Sequence, residues 1–322
     1  MIGKVDPASL AALVLSRTGG PDAAVRQGPA YGEDAAAIDL GDRTLVVSSD
    51  PLSLAAERLG TLGVHVAGND VAASGADPRW LTSILFLPRE DRDLLDTVTA
   101  QLDAAAAATG ISIVGGHSEY APALDRPLLA LTCLGTTDRF VPTGGAEPGD
   151  RILLTKGAGI EATAILATDF REQLVDEVAA DLLDAAETHF DEISVVPDAR
   201  AVRDHATAMH DPTEGGLIDG LLELATAAEV RAVVDRDDVP IRAATAACCA
   251  AMDVDPLAVF GSGALLATVP EAVHETALAA LADAGIEAAT IGTIEAAETP
   301  ALVLDGEPIT EPVRDQLYQL WE

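Results

Sequence analysis

A polar turn, Met209-His210-Asp211-Pro212-Thr213-Glu214-Gly215-Gly216, runs straight into an apolar helical pattern. The same plan recurs in Gly32-Glu33-Asp34-Ala35-Ala36, Ser49-Asp50, Gly68-Asn69-Asp70 and Gly115-Gly116-His117-Ser118-Glu119. Acids and glycines repeatedly interrupt hydrophobic runs, a spacing that predicts a site assembled from loop ends. Carboxylates tolerate phosphate oxygens beside them only with a cation between, and Mg²⁺ takes oxygen ligands in octahedral geometry. Asp34, Asp50 and Asp70, each after a small or glycine-rich approach, are the candidate metal ligands. Taken singly, each could equally cap a turn or a helix.

The remaining polar residues divide by chemistry. Asn69 can orient a ligand or satisfy a buried backbone group. Gly115 and Gly116 admit close backbone approach. Glu119 can serve as a base or stand solvated in its loop. His117 and His210 have the proton affinity for acid–base work, or they are fixed by hydrogen bonds. Asp211 and Thr213 can cap the following helix, and Gly215 and Gly216 can bring its free N–H groups toward phosphate. Lys156, in Lys156-Gly157-Ala158-Gly159, can neutralise phosphate or sit at a domain junction. No Gly-x-x-x-x-Gly-Lys-Ser/Thr pattern occurs, which argues against a P-loop.

These residues need elements to position them. Strands are expected at 36–40, 44–48, 81–87, 112–114, 128–134, 151–155, 231–234, 263–269, 289–294 and 299–304. Helices are expected at 6–15, 54–73, 91–108, 159–170, 174–187, 217–228, 243–252 and 273–284. The turn-rich segment 142–150 divides a domain of residues 1–141 from one of residues 142–322. The mixture predicts two domains of α/β and α+β character.

Composition limits the function. Of 322 residues, 53 are acidic and 19 basic, a net charge of -34, and only Lys4 and Lys156 are lysines. Lysine avoidance on top of acidity points to a high-salt cytoplasm, where screening shortens self-repulsion. No basic stripe exists to replace phosphate counterions, so nucleic acid is excluded as a partner. Cys133, Cys248 and Cys249 form neither a disulfide framework nor a zinc spacing. The start is too polar for a signal peptide and the apolar runs are too short to span a bilayer. A cytoplasmic protein with no membrane contact is expected.

The ordered motifs resemble the aminoimidazole ribonucleotide synthase-related (PurM-like) superfamily, which includes HypE-like dehydratases, thiamine-monophosphate kinases and selenophosphate synthetases. The resemblance runs from Gly32-Glu33-Asp34-Ala35-Ala36 through Gly68 to Pro78, Pro148-Gly149-Asp150 and Lys156 to Asp211 through Gly216. It implies an N-terminal domain contributing to a β-barrel shared across a homodimer, and a C-terminal α/β domain beside it. ATP would lie in the cleft, with Mg²⁺ on Asp34, Asp50 and Asp70. The loop 115–119 would approach the phosphates, and the loop 210–216 would form the substrate side. The HypE-like branch fits best. It implies ATP-dependent activation of an oxygen on a small-molecule or protein-borne carboxamide or carbamoyl acceptor, with a cofactor-maturation partner. Two departures stand out: His117 replaces an expected acid, and no cysteine lies near Leu320-Trp321-Glu322. A thiamine-monophosphate kinase-like phosphotransferase and a noncatalytic nucleotide-binding partner remain the alternatives.

Overall fold

The computed structural model describes residues 3–52 and 57–322. Alternating apolar residues build a first mixed sheet from β1 (Val25–Gln27), β2 (Ala36–Asp39), β3 (Thr44–Leu52), β4 (Asp77–Leu87), β5 (Ser112–Tyr120) and β6 (Leu128–Thr137). Its order is β1-β2-β3-β6-β4-β5. Only β4 and β5 pair in parallel. The sheet is open, with β1 and β5 at its edges, so one chain by itself closes no barrel.

Two helices cover this sheet, α1 (Leu59–Ala73) and α2 (Arg92–Thr109). Helix α1 begins at Leu59, and the earlier part of its expected range, 54–56, lies outside the described residues. Its glycines serve packing. A Cβ on Gly60 would stand 2.4 Å from Val98 O of α2, and one on Gly63 would stand 2.6 Å from a Leu131 methyl of β6. Nearly every position of α1 is buried, because it is sandwiched between both halves of the molecule. Val64, Ala67 and Val71 join the core under the first sheet, while Leu62 and Ala72 join cores of the second half. A helix that is apolar all round is what such a position requires.

The second sheet contains β7 (Asp150–Thr155), β8 (Ala208–His210), β9 (Val230–Val234), β10 (Leu266–Pro270), β11 (Ala288–Ala296), β12 (Ala301–Leu304) and β13 (Glu307–Ile309). Its order is β13-β12-β9-β11-β7-β10-β8. Both faces are covered. Ile152 and Leu154 of β7 pack with Leu217 and Leu221, whereas Leu153 packs with Val202 and Leu281. The chief helices here are α3 (Ile160–Asp169) and α4 (Gly216–Ala227). The molecule is thus a mixed α/β, two-domain fold with two mixed sheets.

Three sequence expectations change. The 174–187 helix is two pieces, Arg171–Leu174 and Ala180–Glu187. The turn expected at Met209-His210 is the end of strand β8, paired with β10. The 115–119 loop is strand, because β4 offers a parallel partner as far as Tyr120.

Polar contacts lace the two halves together. Glu33 accepts from the Thr143 and Gly144 backbone N–H groups, at 3.2 and 3.0 Å. Arg200 Nε donates to Asp77 at 2.7 Å. Asn69 donates to Ile193 O at 2.9 Å and accepts from Val195 N–H at 2.8 Å. These contacts fix the cleft in which the acidic residues meet.

Candidate functional site

Four carboxylates from distant parts of the sequence converge in this cleft. Asp34 precedes β2, Asp50 lies on β3, Asp70 on α1, and Asp211 follows β8. Ser48 Oγ donates to Asp50 at 2.9 Å and also to Asp70. Asp70 and Asp211 are 7% and 1% exposed. Burial, then the charges of Asp50, Asp211 and Asp34, hold the Asp70 carboxyl well above the usual range. Asp211 is lifted by burial first and Asp34 next. Both Asp211 oxygens are buried without a hydrogen-bond partner. Such groups normally find partners, and a lone buried carboxylate is costly. Among the described residues no three acids, histidines or cysteines already stand in ligating geometry. The hard oxygen donors and the orphaned Asp211 nonetheless fit a divalent cation, which would relieve the crowding.

His210 occupies the other side of the cluster. Its Nδ1 lies 2.8 Å from Asp34, and its Nε2 lies 3.1 Å from Glu223. Burial works against the imidazolium, but Asp34 and Glu223 outweigh it and raise the pKa well above the ordinary value. Glu223 is pulled down to about 2, where hydrogen bonding and charge from His210 and Lys4 overcome burial. Lys4 Nζ reaches Glu223 at 3.0 Å. His210 is therefore a charged bridge between two carboxylates. A cleft of about 330 Å³ lined by Tyr31, Asp34, Asp50, Asp70, His210 and Thr213 opens beside it.

Other predicted residues lie elsewhere. His117 and Glu119 form a 3.1 Å pair on the exposed strand β5, with Gly115 and Gly116. That strand is three places from β3 in the sheet, about 14 Å at the usual strand spacing. Lys156 Nζ is spent on Glu192 O, Ser194 O and Asp198, at 3.0, 2.9 and 3.2 Å. Asn69 satisfies backbone groups, as above. Gly215 N–H donates to Asp315 at 2.9 Å and Gly216 N–H to Thr213 O at 3.0 Å. Gly216, at φ 64°, leaves no room for a Cβ, which would stand 2.4 Å from Val259 O. The start of α4 is thus engaged in its own packing rather than held open.

Sequence reasoning missed Ser48, Glu223 and Lys4. Ser48 carried no signal beyond its place two residues before Asp50. Glu223 carried no signal beyond its place on the expected 217–228 helix. Lys4 had a signal, since a chain with two lysines keeps one where a carboxylate needs it.

Two mixed sheets closing on a carboxylate cluster between them define a PurM-like α/β protein. Residues 32–137 match the model for the AIR synthase related protein N-terminal domain, and residues 147–305 that for its C-terminal domain. The chain belongs to the AIR synthase-related family. It is 30% identical over 284 residues to carbamoyl dehydratase HypE of Rhizobium leguminosarum bv. viciae, covering 82% of this chain and 77% of that protein. It is 29% identical over 325 residues to selenide, water dikinase of Myxococcus xanthus (strain DK1622), covering 88% and 87%. The crystal structure of hydrogenase maturation protein HypE in complex with ATP superposes with a TM-score of 0.70 at 27% identity, covering 90% and 92%. No helix among the described residues is long and apolar enough to cross a membrane.

Proposed function

We propose that this chain is an ATP- and Mg²⁺-dependent, HypE-like enzyme that activates an oxygen of a carboxamide or carbamoyl acceptor by phosphorylation. The observation that carries it is the orphaned Asp211 carboxylate, buried against Asp70 and its Ser48-linked neighbour Asp50. Mg²⁺ bound there would neutralise triphosphate charge. Asp50, Asp70 and Asp211 would hold it, and Asp34 would be kept in place by His210. This departs from the resemblance, which put Asp34 on the metal. Thr213 lines the cleft and would orient the acceptor. In the reaction the acceptor oxygen bonds to the γ-phosphorus as the bond to ADP breaks. For a carboxamide, later loss of phosphate with the amide protons would amount to removal of water. The relatives' names and the ATP-bound HypE support this reading.

The homodimer belongs to the same proposal. Every residue of β5 is exposed, including Ile113 at 43% and Val114 at 58%. An edge strand that exposes its backbone together with Ile113 and Val114 invites pairing with another. A second copy docked on β5 would extend the sheet toward a shared barrel and carry residues 115–119 toward a cleft. We keep the domain division at 141/142, the cytoplasmic, high-salt setting and a maturation partner as parts of this reading.

The test is a screen of carboxamide and S-carbamoyl acceptors with Mg·ATP in molar KCl, reading ADP and product mass. Acceptor-dependent ADP with a dehydrated product supports the proposal. The match to selenide, water dikinase favours a second reading, phosphotransfer alone, in which the product keeps the phosphate. Absence of Mg·ATP binding would refute both.

A further inference from the structure

Three cavities lie side by side along the cleft, of about 280, 300 and 330 Å³, and Lys4 borders all of them. Gly3 is common to the first two, and Val5 and Tyr31 to the last two. The partition between these rooms is therefore the chain itself at residues 3–5. The largest room is the one beside the carboxylate cluster, with Asp34, Asp50 and Asp70 on its wall.

Residues 3–23 are loosely held. None of them is buried. Val5, Leu13 and Val14 stand 59, 55 and 53% exposed, so the helical turns Pro7–Leu10 and Ala11–Leu15 gain little from packing. Among the described residues, one polar contact ties this strap to anything beyond Val25, namely Lys4 Nζ on Glu223 at 3.0 Å. The strap rejoins the first sheet where Ala24 O accepts from Asp39 N–H at 2.7 Å. Just before that point, Gly19 and Gly20 have nothing within 4 Å of where a Cβ would stand, which leaves the backbone room to hinge. A segment with few apolar contacts and a single tether opens at low free-energy cost while the rest stays folded.

We propose that residues 3–23 form an autoinhibitory strap, latched by Lys4 on Glu223, that must swing aside before a nucleoside triphosphate can lie across the cleft. The nucleotide part rests on the enzyme reading above. Sterics set the direction of the effect. A triphosphate seated on the carboxylate cluster carries its ribose and base out of that room, and residues 3–5 stand in the way. Each room is at the small end of ligand pockets, which run about 300–1,000 Å³. Joined, the three rooms take a nucleotide and an acceptor together. Lifting the strap also withdraws a cation from the ligand's path. In molar salt that attraction is screened over about 3 Å, whereas overlapping atoms are excluded at any salt. Glu223 keeps His210 as its partner when the latch opens.

Cys133, Cys248 and Cys249 are buried, so cysteines placed at exposed positions can be spin-labelled selectively. Leu13→Cys on the strap and Val175→Cys on the second half, both exposed sites, report the strap's position by electron-spin distance measurement in molar KCl. With Lys4 intact, one distance should dominate. Lys4→Gln should move at least half of the molecules to another distance, and Lys4→Arg, which can keep the ion pair, should not. Mg·ATP should displace the intact strap in the same way, and by linkage Lys4→Gln should bind Mg·ATP at least threefold more tightly. Unchanged distances in Lys4→Gln overturn the proposal. So does Mg·ATP that leaves the strap in place, or that binds Lys4→Gln no more tightly than the unaltered protein. If Mg·ATP binds neither protein, the enzyme reading ends, and the latch stands or falls on the label distances alone.

Discussion

His210 and Asp34 meet across the cleft, 2.8 Å apart, although 176 residues separate them in the chain. One belongs to the first sheet's approach and the other to the last residue of β8. With Glu223 on the opposite ring nitrogen, the imidazolium is a charged rivet between the halves. Removing one partner of a buried ionic network leaves the others uncompensated, at about 3–5 kcal/mol. His210→Ala should therefore lower stability by an amount of that order in denaturant titrations. The raised pKa of His210 sets a second outcome. Its stabilising contribution is complete below the unfolded value and is lost as pH rises through the elevated folded value. Wild-type protein should lose stability on the alkaline side, and the variant should lose less over the same range. Equal alkaline slopes would contradict the rivet.

The carboxylate cluster predicts an inverted response to metal. Asp211 is buried with no partner, and Asp70 is crowded by three other acids. Without a cation this arrangement opposes folding, and binding a cation to the folded state stabilises it. Mg²⁺ should raise the melting temperature of the wild type. Asp211→Asn should melt higher than wild type in EDTA and gain little from Mg²⁺. Asp70→Asn should cut Mg²⁺-dependent ATP use at least tenfold while staying folded. A folded Asp70→Asn protein with normal turnover would remove that residue from the metal site.

How much of this the sequence disclosed depends on the kind of residue. Asp34, Asp50 and Asp70 stood out because each follows a small or glycine-rich approach, Asp211 because it sits in a polar turn before a helical pattern, and the fold brings all four together. The signal failed where the same residue types serve packing. Gly215 and Gly216 read as a phosphate cradle, yet their N–H groups are taken by Asp315 and Thr213 O. Lys156 read as a phosphate counter-charge, yet it holds together the Glu192–Asp198 segment. Glycine, lysine and asparagine satisfy a crowded backbone with the same chemistry that binds a ligand, and only tertiary context separates the two. The strands were legible from alternation, but β5 was cut short because its glycines and polar tip lack the apolar signature of a buried strand.

Glu161 gives a pH prediction of opposite sign. It is 8% exposed, and burial pushes its carboxyl up to about 7. Between the ordinary value and 7, the folded chain keeps a proton that the unfolded chain has released. Stability therefore falls as pH rises through that window and stays reduced above it. The shift corresponds to a penalty on the order of 3 kcal/mol at pH 8. Glu161→Gln should be more stable than wild type at pH 8 and equal to it near pH 4. Denaturant midpoints at the two pH values measure this, and a variant less stable at both would show that the carboxylate is ionised and satisfied in the folded protein.

The exposed edge of the first sheet yields the last test. Val114 and Ile113 stand open to solvent on β5, a strand paired on one side only. Covering the half of each side chain that remains exposed is worth roughly 1.5–3 kcal/mol for the two together, and the free N–H and C=O groups of the edge would pair as well. Val114→Lys places a charge on that surface without touching the buried cores, so the folded chain should survive with its melting temperature little changed. If β5 joins two copies, the wild type should have the mass of a dimer by light scattering in molar KCl, and the variant should dissociate as it is diluted. A monomeric wild type, or a Val114→Lys dimer of undiminished affinity, would place the contact elsewhere and leave residues 115–119 without a route to any cleft.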